Sequence, residues 1–159
     1  DFASLRARGD AHITVGHHEE AVADFEAALK IEPDDSLALN NLAWLLATSP
    51  EDEIRNAKRA LEFATRASEL TDYKAAHILS TLAAAYAEGG DFAEAIKWSK
   101  KSAELNEDPD LVEPLAKELA TYEAGQPFRE RKKTDEKNAG TEEQAEAAPA
   151  AADAQSIDF

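Results

Sequence analysis

Apolar residues recur at three- and four-residue steps along most of this chain, the period of helices with one buried face. Between Ala76 and Leu105 the first stripe is Leu79, Leu82, Ala83 and Tyr86, and the second is Phe92, Ala95, Ile96, Ser99 and Ala103. Gly89-Gly90-Asp91 separates them, since glycine ends a helix cheaply and aspartate caps the next one. The alternation also occurs twice upstream. Leu5, Gly9 and His12 precede Gly16, then Ala21, Val22, Phe25, Ala28 and Leu29 run to Pro33. Leu39, Leu42, Ala43 and Leu46 precede a Pro50-centred loop, then Ala60, Leu61, Ala64, Ala67 and Leu70 follow. A last stripe, Leu111, Leu115, Leu119 and Tyr122, follows Asp108-Pro109-Asp110, with Asp110 read as the N-cap and Lys117, Glu118 and Glu123 on the exposed side. The pattern predicts seven helices, near 3–15, 19–32, 36–48, 54–71, 76–89, 92–106 and 110–124, and no strand.

No single hairpin of this kind can bury both of its faces, so the three must stack. Their spacing resembles the tetratricopeptide repeat (TPR), a pattern of about 34 residues reading W-x2-L-G-x2-Y, A-x3-F and P. Ala21, Phe25 and Pro33 match its second half. Three departures stand out. Arg8 replaces a leucine, suggesting a less well covered end. Ala64 and Ser99 replace the phenylalanine, with Trp98 a candidate to fill the second gap. The turn around Pro50 is about five residues longer than the norm. The resemblance implies an all-α, right-handed helical solenoid over residues 1–127, with repeats about 2–35, 36–75 and 76–107 and a capping helix at 110–124. It also implies that the first helix of each repeat lines a concave groove, and that the family's usual work is protein binding.

The net charge of −16 disfavours a nucleic-acid partner or an anionic membrane and suits basic partners. No apolar run approaches the roughly 18–20 residues of a membrane span. Cysteine is absent, which removes disulfide and thiolate chemistry. Methionine is absent too and the chain begins Asp1-Phe2, which fits either an exported mature chain or a fragment of a longer protein; the compartment stays unknown. Catalytic motifs are missing, so no enzyme, catalytic residue, cofactor or metal is expected. His17-His18-Glu19-Glu20 is read as a solvated turn, because adjacent helical side chains point about 100° apart.

The resemblance places Arg6, Asp10, Asn40, Trp44, His77 and Ser80 on the concave side, with Asn41 at its edge. Trp44 could anchor an extended peptide or simply pack against a neighbouring helix. Recognition of an acidic C-terminus is disfavoured, because Asp10 stands where that subgroup has an asparagine. The expected function is a non-enzymatic protein-interaction scaffold that binds a peptide or protein segment in the groove. The alternative is a subunit that binds other copies of itself head-to-tail into an oligomer or filament.

Residues 128–159 form a charged, Ala/Glu-rich tail whose composition predicts disorder, yet it ends on the apolar Ile157 and Phe159. These two would be the anchors if the tail connects subunits. Deleting residues 139–159 is expected to leave oligomeric state and stability unchanged, as light scattering and thermal unfolding would report. Collapse of an assembly would instead make the tail a connector.

Overall fold

A computed structural model describes residues 1–132, so Ile157 and Phe159 lie outside the described residues. The helices are α1 (Phe2–Val15), α2 (His18–Ile31), α3 (Ser36–Thr48), α4 (Ala57–Leu70), α5 (Ala76–Glu88), α6 (Phe92–Leu105) and α7 (Val112–Glu123), with a 3₁₀ turn at Pro109–Leu111 before α7. Among the described residues there is no strand. The chain is an all-helical solenoid of antiparallel hairpins, α1–α2, α3–α4 and α5–α6, with α7 packed on α6.

Local chemistry sets the helix ends. The side chains of Asp1, Asp35, Asn56 and Asp91 each accept the backbone N–H three residues on, at 2.7 to 3.1 Å. Gly16 closes α1 in the left-handed conformation at φ 81°. At the last helix the expected cap is corrected. Asp108, not Asp110, accepts the backbone bond, and α7 begins only after the 3₁₀ turn.

Small residues govern the packing. Ala43, Ala47, Ala60, Ala64, Ala83, Ala84 and Ala95 are all at most 1% exposed, so neighbouring helices can approach closely there. Gly9 serves the same end: a Cβ there would lie 2.9 Å from the Phe25 ring. Of the apolar residues predicted to form the core, Phe25, Leu42, Leu46, Leu79, Leu82 and Leu115 are buried. Leu29, Leu61, Tyr86, Ile96 and Leu105 are only partly buried. Trp98 packs against the same core and stacks on Tyr73, with ring centroids 5.3 Å apart.

Two polar positions carry pairings that the sequence reading did not include. Arg8 is the outer partner of a forked ion pair to buried Asp24 at 2.6 and 2.7 Å. That hydrogen bond holds the Asp24 carboxyl below the ordinary carboxylate range despite its burial. His18 is not part of a solvated turn: it is buried, with Nδ1 2.9 Å from Ser49 Oγ in the α3–α4 loop.

That long loop is organised by Arg55. Its guanidinium donates to the Ser49 carbonyl at 2.6 Å, to Asp52, and to Glu88 at the end of α5 at 3.2 Å. Glu88 also accepts from Arg129, which follows α7, at 3.2 Å. The two guanidiniums are not equivalent, because the Arg55 side chain is 8% exposed and that of Arg129 46%. Removing the partner of a buried charge is expensive, whereas an exposed pair contributes little. Glu88→Ala, which leaves Arg55 only Asp52 and the Ser49 carbonyl, is therefore expected to cost more than Arg129→Ala, which should cost at most about 1 kcal/mol, as measured by urea unfolding. Equal costs would show that Arg55 does not depend on Glu88.

Candidate concave site

The helices α1, α3 and α5 present one face to a cavity of about 390 Å³, closed on its other sides by α6, the 3₁₀ turn and α7. Asp10 and Ile13 come from α1, Asn40, Asn41 and Trp44 from α3, and His77, Ser80 and Thr81 from α5. Leu111, Pro114, Leu115 and Glu118 form the far wall. Of the seven residues the sequence places on the groove, six meet around this cavity: Asp10, Asn40, Asn41, Trp44, His77 and Ser80. Arg6 does not line it, and pairs with Asp35 at 3.5 Å.

A short hydrogen-bonded chain crosses the first wall. Asn41 Nδ2 donates to Asp10 Oδ1 at 2.8 Å, and Asn40 Nδ2 donates to Asn41 Oδ1 at 3.2 Å. Asn40 is 8% exposed, and its Oδ1 has no hydrogen-bond partner among the described residues. Opposite, Ser80 Oγ donates to Glu118 Oε2 at 2.7 Å. Glu118 is itself 7% exposed. Its burial pushes the carboxyl above the ordinary carboxylate range, and the Ser80 bond opposes that shift.

Glu118 is a correction to the sequence reading, which put it on the exposed side of α7. It lies three residues after Leu115 and four before Tyr122, both buried, so all three share one helix face. That spacing was the available signal.

Trp44 has an environment that was not among the two weighed for it. It lines the cavity, and it is also covered by residues following α7. Phe128 packs against its ring at a centroid distance of 5.9 Å. Its indole N–H donates to Glu130 Oε1 at 2.7 Å, while the Glu130 N–H donates to the Thr48 carbonyl at 2.8 Å. Phe128, Arg129 and Glu130, assigned to the tail by composition, thus pack against the C-terminal ends of α3 and α5. Nothing local in the sequence signalled this, since the partners of Glu130 and Arg129 are 86 and 41 residues away.

No curated protein matches this chain. Among solved structures it is similar to the Sgt2 TPR domain from Aspergillus fumigatus, at 21% identity and a TM-score of 0.60, over 99% of this chain and 90% of that one. At that identity the likeness bears on the fold alone. A family profile described as tetratricopeptide repeat matches residues 1–116. Three stacked hairpins, a capping helix and this match together place the chain in the tetratricopeptide repeat family, whose members work through protein–protein interaction.

Proposed function

We propose that this chain is a non-enzymatic scaffold that seats an extended segment of a partner protein in its concave groove. The observation that carries the reading is the cavity between α1, α3, α5 and α7. Its volume of about 390 Å³ suits a side chain of a docked segment, and its wall mixes an indole with several polar groups. Binding sites commonly combine an apolar lining with a few convergent polar groups, and aromatic residues are frequent anchors in them. Helices α3 and α5, each packed between neighbouring helices, support the reading further, because a preformed groove loses little entropy on binding.

Selection of displayed random peptides on the full chain tests the proposal. Selected peptides are expected to lose at least about tenfold in affinity to Trp44→Ala, close to the 2 kcal/mol that marks an interface anchor. Circular dichroism should show the variant's helicity unchanged. Equal affinity for both forms would place binding outside the groove. In the same preparation, light scattering is expected to report a monomer; a concentration-dependent ladder would favour the self-assembling alternative.

A further inference from the structure

The charges around the cavity carry one sign. Asp10 stands on α1 and Glu118 on α7, while α3 contributes only Asn40, Asn41 and Trp44, and α6 only Ser102 and Asn106. His77 on α5 is the sole titratable nitrogen on the wall. The nearby fixed cations face other acids: Arg6 pairs with Asp35 at 3.5 Å and Lys117 with Glu113 at 2.9 Å. Glu118 is buried with a hydroxyl hydrogen bond and no ion pair among the described residues. Buried carboxylates in folded proteins are normally matched by a cation or by several donors. Across the cavity, Asn40 Oδ1 is an acceptor with no donor among the described residues, on a side chain more than nine-tenths buried.

A ligand that satisfies this wall must bring donors and positive charge. The remaining surface fits that description, because Trp44, Ile13, Leu111 and Leu115 supply apolar contact for an aliphatic stem, and an indole favours a cation nearby. We propose that the cavity is a site for a cationic side chain, the guanidinium of arginine or the ammonium of lysine, carried by the partner segment. Glu118 and Asp10 supply the countercharge and Trp44 the aromatic wall. The proposal rests on the groove reading above and gives that partner its chemistry: a basic segment, matched to a chain of net charge −16.

The test is a titration of the full ¹⁵N-labelled chain with four capped amino acids, the N-acetyl methylamides of arginine, lysine, citrulline and norleucine. Citrulline has nearly the shape of arginine without its charge. The arginine or lysine probe is expected to shift the Trp44 indole N–H and the amides of Asp10, Asn40 and Glu118 saturably, with a dissociation constant on the order of 1 mM. The Trp98→Phe variant identifies the Trp44 indole signal. Citrulline and norleucine should bind at least about tenfold more weakly, a difference of about 1.4 kcal/mol. Glu118→Gln, nearly isosteric, should weaken the cationic probes by a similar factor, and Asp10→Asn, on the exposed rim, by less.

Comparison of the arginine and lysine arms identifies the preferred head group. Equal binding of citrulline and arginine would overturn the proposal while leaving the groove reading intact. So would cationic binding that is insensitive to Glu118→Gln. If none of the probes perturbs these residues, the cationic site is excluded, and the groove reading then stands or falls on the peptide selection with Trp44→Ala.

Discussion

Close approach of helices at small residues is the constraint on which everything else depends. Ala43 and Ala47 on α3 and Ala84 and Ala85 on α5 are almost wholly buried in one cluster with Leu42, Leu46, Leu79 and Leu82, while Ala83 and Ala87 on α5 are buried with Ala95 on α6 and Tyr122 on α7. Close packing of this kind leaves little room for adjustment, because interiors are nearly as dense as organic crystals. The consequence is a wall whose exposed positions are set by the buried ones. Asn40 lies within one turn of Ala43, and Ser80 within one turn of Ala83 and Ala84, so each polar side chain sits at the edge of a buried face and lines the cavity beside Trp44. The groove is therefore a by-product of how the hairpins stack.

Much of this was legible in the sequence, because helical periodicity and capping are local. The α3 and α5 boundaries follow from Asp35 and from the Gly89-Gly90 break, and six of the seven residues singled out from the repeat pattern line one cavity. What was not legible depends on long-range pairing. Arg8 stands exposed on a less well covered helix, as the repeat pattern suggested, but its pairing with Asp24, 16 residues away on another helix, was not visible. Phe128 to Glu130 read as tail, because composition reports on a segment and not on the surface it meets. Glu118 is the instructive intermediate. Its spacing from Leu115 and Tyr122 implied a buried face, but an acidic side chain is by default assigned to solvent.

The two ends of the concave face differ in character. Near the C-terminal ends of α3 and α5, Phe128, Arg129 and Glu130 occupy hydrogen-bonding and apolar positions that a ligand could otherwise use. Farther along, the cavity keeps an acceptor and a buried carboxylate that the described residues do not match with a cation. If a partner binds here as proposed, a surface that satisfies itself at one end and leaves a buried carboxylate at the other would favour engagement at the second end. On the proposed reading, the acidic balance of the whole chain would act in the same direction by steering basic segments towards it, an effect that weakens with salt.

The most direct measurement is the crystal structure of the full chain bound to a peptide selected for affinity. The account predicts the peptide lying along α1, α3 and α5, in contact with Trp44 and with an arginine or lysine side chain directed at Glu118. A peptide seated instead on the face formed by α2, α4 and α6 would contradict it.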